Sequence, residues 1–148
     1  NNKSNFNKNT DLLLYMAARS ENIDIIKKSF NKKIILIDRF TDSTIAYQHF
    51  GMGVNLNLIK TLNKSLLKNI KVSFTFLNIV NQKNLQKRLM QRKSLNRYDK
   101  FKMSFYKKVQ SGYIKISKND KKKYLLIDSN SSIKENKKII INKIKKII

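Results

Sequence analysis

Residues 34–48 read IILIDRFTDSTIAYQ, and the first five of them decide the fold. IILID is a short continuous apolar run ending in Asp, the form of a strand buried on both faces of a parallel sheet. VSFTFLNI at 72–79 and YLLID at 124–128 repeat it, with Asn78 and Asp128 at or near their carboxyl ends. Between these runs lie helical patterns. Residues 12–30 carry apolar side chains near a 3.6-residue period, with Thr10 or Asp11 available as N-cap, and 55–68, 81–92, 99–118 and 132–147 read as further helices. Alternating strands and helices predict an α/β fold, a parallel sheet with helices on both faces. In such sheets ligands sit where loops leave the carboxyl ends of strands, the position of DRFTDST, of Asn78 and of Asp128-Ser129-Asn130.

The 148 residues suit one domain, with 41% apolar side chains to fill one core. Residues 1–9 are polar and aperiodic and read as a flexible lead-in. No Cys is present and His49 is alone, which excludes disulfides and thiolate or histidine metal sites. No apolar run approaches the roughly 18 residues that span a bilayer, so a cytoplasmic chain without membrane contact is expected.

The net charge of +24 suggests nucleic acid at first sight. The positive residues, however, are nearly all Lys, scattered among Asn and Ile with no dense basic arm, which reads as drift in residue usage. A dedicated nucleic-acid-binding protein is the weaker alternative. Against this background only five of the 33 basic residues are Arg: Arg19, Arg39, Arg88, Arg92 and Arg97. A planar fork matches phosphate bidentately where an ammonium does not, so these five mark candidate anion contacts.

Three groupings follow. Tyr15 and Arg19, four residues apart on one helix, could stack on a base and hold a phosphate, or be a core Tyr beside a surface Arg. Asp38 and Arg39 could hold hydrated Mg²⁺ and neutralise a transferring phosphoryl group, or form an ion pair or cap. Ser43, Thr44, Tyr47 and Gln48 follow within two helical turns and could read a base edge or a sugar hydroxyl. Arg88, Arg92 and Arg97 form either an arginine-rich lid or a solvated basic face, Arg88 and Arg92 sharing a helix face at a spacing of four.

Taken in order, YMAAR, DRFTDSTIAYQ and RLMQRKSLNRYD followed by SGY resemble the thymidylate kinase family, over nearly all of residues 10–145. The resemblance implies a P-loop nucleoside-monophosphate-kinase-like fold and transfer of the ATP γ-phosphoryl group to dTMP, with Mg²⁺. It places Tyr15 on the thymine and Arg19 on the base or monophosphate. Asp38 falls near the metal, through water, and Arg39 on the phosphates. Ser43, Thr44, Tyr47 and Gln48 line the nucleoside, Tyr47 close to the sugar. Arg88, Arg92 and Arg97 fall in a lid at about 88–99 that supplies catalytic arginines, with Arg88 and Arg92 also on ATP. Asp99 matches an acidic position after the last lid Arg, and Tyr113 a later Tyr. Asp128, Ser129, Asn130 and Ser131 border the adenine. It further implies a homodimer packed through helices, for which 12–30 and 55–68 offer apolar faces.

One element of that family is absent from the 148 residues. The glycines are Gly51, Gly53 and Gly112, and no G-x-x-x-x-G-K-[ST] loop is present to cradle donor phosphates. The expectation is a partial domain, lacking the first strand, the phosphate loop, the first helix and the second strand, and inactive or a nucleotide-binding remnant by itself.

Overall fold

Two of the three apolar runs form strands. In the computed structural model, which describes residues 6–30, 32–94 and 96–148, β1 (Thr75–Ile79) and β2 (Tyr124–Asp128) pair in parallel, Thr75 opposite Tyr124 and Ile79 opposite Asp128. Before β1 come α1 (Lys8–Ser29), α2 (Thr41–Thr44), a π-helical segment (Ile45–Gly51) that continues it, and α3 (Leu56–Leu67). Between the strands lie α4 (Gln82–Met90), a 3₁₀ turn (Tyr98–Lys100) and α5 (Met103–Lys118), and α6 (Ile133–Ile144) follows β2.

The third run corrects the expectation. Residues 34–37 take no regular secondary structure and join no ladder among the described residues, and Ile34, Leu36 and Ile37 are 65, 79 and 44% exposed. A strand is completed by a neighbour's N–H and C=O groups, and its own apolar composition cannot supply them.

Helix starts are set by short polar side chains that accept from the free N–H groups of the first turn. Asn7, rather than Thr10 or Asp11, caps α1, accepting from the N–H of Asn9 and of Thr10 at 2.9 Å each. The helix thus begins inside the expected lead-in, of which residues 1–5 lie outside the described residues. Asn55 and Asn81 cap α3 and α4, and Ser132 with Glu135 forms a reciprocal capping box on α6. The asparagine-rich usage of the chain therefore serves three of its helix ends. Helix α4 stops at Met90, so Arg92 lies beyond it and shares no helix face with Arg88. Helix α5 starts at Met103 instead of 99.

The core has two parts. Leu12, Met16, Val54 and Ile59 join α1 to α3, and Ala46, Phe105, Tyr106 and Val109 join the π-helical segment to α5. The π-helical segment belongs to both contacts, which fixes where its polar face is presented.

Candidate functional site

Arg39 lies in the bend that follows the unpaired apolar run. Its φ of 61° is a left-handed conformation that an Arg adopts only at a cost, of order 1–3 kcal/mol, when its surroundings hold it there. Its guanidinium lies 5.0 Å from the centre of the Tyr47 ring. From Thr41 onward α2 leads into the π-helical segment, a form common at functional sites because the extra residue per turn re-aims side chains. Tyr47 meets Tyr98 edge-on at 5.4 Å and Tyr113 at 6.4 Å, and Tyr15 lies 6.2 Å from Tyr98. Tyr113 donates its hydroxyl to Ser43 Oγ at 2.6 Å, and Tyr124 donates to Asp42 Oδ2 at 2.8 Å. One wall thus joins Tyr15, Tyr98, Tyr47, Arg39, Tyr113 and Ser43.

Arg19 sits behind that wall. It is 8% exposed and donates to Asn63 Oδ1 at 2.7 Å, Thr44 Oγ1 at 2.7 Å and the Phe40 carbonyl at 3.1 Å. Burial lowers its pKa while Asp42 opposes the shift, and a guanidinium remains charged. The alternative of a core Tyr beside a surface Arg is therefore inverted: Arg19 is buried and Tyr15 is exposed. Through these bonds Arg19 fixes the residues on either side of Thr41, and with them the exit of the chain from Arg39.

A buried carboxylate that sequence reading placed only as a possible cap lies beside this wall. Asp11, 4% exposed, accepts from Tyr98 Oη at 2.6 Å, Arg97 Nη1 at 2.6 Å and Gln48 Nε2 at 3.0 Å. Gln48 itself is 2% exposed. Arg97 also donates to the Phe6 carbonyl at 3.0 Å, with its guanidinium over the Phe6 ring.

The lid arginines are held by separate partners. Arg88 donates to the Ser129 carbonyl at 2.5 Å, joining α4 to the loop after β2. In that loop Asp128 Oδ1 accepts from the Asn130 N–H at 2.8 Å, Asn130 Oδ1 accepts from the Asn81 N–H at 3.1 Å, and the Ser131 N–H donates to the Asp128 carbonyl at 3.1 Å. Arg92 stands apart, its Nη1 at 2.6 and 2.8 Å from the two oxygens of Asp99. The arginines are thus divided among a wall (Arg39, with Arg19 behind it), a loop (Arg88) and two carboxylates (Arg92, Arg97). Asp38 is exposed, and among the described residues no group of three acidic, His or Cys side chains gathers for a metal. A cleft of about 610 Å³ beside Phe40, Thr41, Val72 and Lys123 holds none of the candidate residues.

Burial raises the pKa of the phenols of Tyr98, Tyr113 and Tyr124, and the carboxylates hydrogen-bonded to Tyr98 (Asp11) and Tyr124 (Asp42) raise them further. All are neutral below the ordinary value of about 10 in both folded and unfolded chain. Above it the unfolded chain loses its protons first, so these groups withdraw stability as pH rises past about 10. Phenolate absorbance should therefore rise at distinctly higher pH in the folded chain than in urea. Coincident curves would contradict the buried hydroxyls.

A two-stranded parallel sheet among helices, with tyrosines, a strained Arg and buried polar groups along one helix–turn segment, makes this a mixed α/β domain. A family model described as thymidylate kinase matches residues 1–140. The thymidylate kinase of Sulfurihydrogenibium sp. (strain YO3AOP1) is 35% identical over 137 residues, covering 91% of this chain and 66% of that protein. That of Mycoplasma capricolum subsp. capricolum is 35% identical over 144 residues, covering 92% and 68%. The crystal structure of thymidylate kinase from Ehrlichia chaffeensis superposes with a TM-score of 0.66 at 30% identity, over 88% of this chain and 60% of that one. The chain belongs to the thymidylate kinase family. It spans 60 to 68% of the length of these relatives.

Proposed function

We propose that these residues form the monophosphate side of an enzyme that transfers the γ-phosphoryl group of ATP to dTMP, giving dTDP in the cytoplasm. The observation that supports this best is the continuous wall of Tyr15, Tyr98, Tyr47 and Arg39, with Ser43 on the same segment and Gln48 buried behind it. Aromatic faces stack on a base, and Arg39 at the rim offers its fork to a phosphate. In this reading Tyr15, Arg19, Arg39, Ser43, Thr44, Tyr47 and Gln48 serve dTMP, with Arg19 and Thr44 shaping the pocket from behind. Arg39, Arg88, Arg92 and Arg97 supply positive charge for transfer, Arg88 and Arg92 together with Asp128, Ser129, Asn130 and Ser131 on the ATP side. Arg92 must then exchange Asp99 for phosphate oxygens.

Mg²⁺ keeps several waters and takes one or two carboxylates alongside substrate phosphates. Asp38, a lone exposed carboxylate next to Arg39, fits that outer position and no closed protein cage. When bound, the ion would neutralise charge on the donor phosphates.

Donor phosphates also need a glycine-rich loop, which the 148 residues do not contain. The chain by itself is therefore proposed to bind dTMP without transferring phosphate. Calorimetry of the chain with dTMP should give saturable binding, absent with ATP alone. Indifference to dTMP, or turnover in the ordinary kinase range of about 1–100 s⁻¹, would overturn one half or the other of this reading.

Arg39→Gly separates strain from function. Glycine relieves the left-handed backbone but loses a cation–π contact, so stability should stay within about 1 kcal/mol of the parent. Calorimetry should nevertheless find dTMP binding lost. Unchanged affinity would remove Arg39 from the phosphate.

The exposed apolar residues Leu13, Leu14 and Ile25 of α1 are further proposed to pack against a second copy in a homodimer. Sedimentation of the chain should show a concentration-dependent dimer.

A further inference from the structure

The Asp11 carboxylate is one acceptor shared by three donors from distant parts of the chain. Arg97 and Tyr98 lie 86 and 87 residues away at the carboxyl end of the arginine-rich loop, and Gln48 lies 37 residues away on the π-helical segment. Asp11 itself stands one helical turn before Tyr15 on α1. A buried carboxylate is stable only when its lone pairs are filled, and each of these partners is fixed in turn by filling them. Oδ1 takes Arg97, while Oδ2 takes both Tyr98 and Gln48. Gln48 Nε2 reaches Tyr98 Oη as well, at 3.1 Å, which closes a triangle of Asp11, Tyr98 and Gln48. Tyr98 in turn carries the ring that bridges Tyr15 and Tyr47, and its carbonyl accepts from Tyr106 Oη at 2.7 Å. The loop's carboxyl end, the ring wall and the π-helical segment therefore share one electrostatic anchor.

We propose that Asp11 is a positioning residue, which ties the end of the arginine loop to the wall of the monophosphate pocket. It touches no substrate. It holds Tyr98 between Tyr15 and Tyr47, and it ties Arg97 to the first turn of α1. The inference rests on the proposed dTMP site for its functional consequence, though not for the anchoring itself.

Asp11→Asn removes the charge and turns an acceptor toward a guanidinium into an amide that can also donate. Asp11→Glu restores a carboxylate with one more methylene, and Tyr98→Phe removes the two hydrogen bonds of the phenol, to Asp11 and from Gln48, while leaving the Arg97 pair. Amide hydrogen exchange of the 148-residue chain should be faster by about tenfold or more at residues 96–101 in Asp11→Asn, slightly faster in Tyr98→Phe and near parental in Asp11→Glu. Exchange at the buried Ile59 end of the core should not change. Calorimetric dTMP affinity should fall about tenfold in Asp11→Asn and largely recover in Asp11→Glu. Parental exchange at 96–101 in Asp11→Asn would overturn the anchor. Faster exchange with unchanged dTMP affinity would overturn the coupling to the pocket. A parent chain that binds no dTMP would count against the proposed site, and the exchange result would still decide the anchor.

Discussion

Replacing Arg19 by Met should destabilise the chain by roughly 2–4 kcal/mol, because it leaves buried acceptors without a donor while hardly changing the volume filled. Asn63 Oδ1 and Thr44 Oγ1 lose their donor at once, while the Phe40 carbonyl, which also accepts from the Ser43 N–H at 3.1 Å, loses one of its two. A hydrogen bond from a charged donor is worth more than a neutral one, and the desolvation of each orphaned acceptor adds to the loss. The linear thioether of Met packs well near Met16, so a cavity contributes little. Arg19→Lys should lose about half as much, since an ammonium on a flexible stem cannot span acceptors on α3 and α2 together. Urea denaturation gives both values. If Met were neutral, the buried fork would be incidental, and Arg19 would be free to serve the nucleotide directly. The same variants should weaken dTMP binding indirectly, since Phe40 follows Arg39 and its position fixes that residue's left-handed turn.

How much of this was legible in the sequence depended on the range of the cause. The runs of α3 and α6 show in their periods, and Ser132 with Glu135 is a local signal that reads the same in sequence and structure. YLLID became β2 at the expected residues, 124–128. IILID, chemically almost the same, did not become a strand, because pairing is a property of two segments and only one of them was being read. Arg39, Tyr47 and Ser43 were legible through the family pattern around them. Asp11 was not. As one acid near a polar start it looked like a cap, and what makes it a hub is contact with residues 86 and 87 positions away. Tyr98 was missed for the same reason, and the separate partners of Arg92 and Arg97 depend on Asp99 and Asp11 being folded beside them. A scarcity of Arg can mark which guanidiniums matter without saying whether each meets a ligand or a carboxylate.

Gly112→Ala should cost about 2 kcal/mol, even though Ala is the better helix former by roughly 1 kcal/mol. Gly112 lies in α5 where Phe50 of the π-helical segment crosses it. A Cβ there would meet Phe50 Cδ2 at 2.4 Å, Cγ at 2.6 Å and Cβ at 2.8 Å. Ring rotation can move Cδ2 but not Phe50 Cβ, which is tied to the backbone, so one helix must shift away from the other. That shift opens the contact among Ala46, Phe105 and Val109 that holds the π-helical segment, and it carries Tyr47 and Gln48 with it. Binding of dTMP should therefore weaken along with stability. Phe50→Ala removes the whole ring, and with it the Cδ2 and Cγ contacts, and should be destabilising alone, yet in the double variant it should recover part of the Gly112→Ala loss, a coupling that denaturation of all four chains measures. Strict additivity would mean that the two helices adjust independently, and that the close approach at Gly112 does not set the register of the wall.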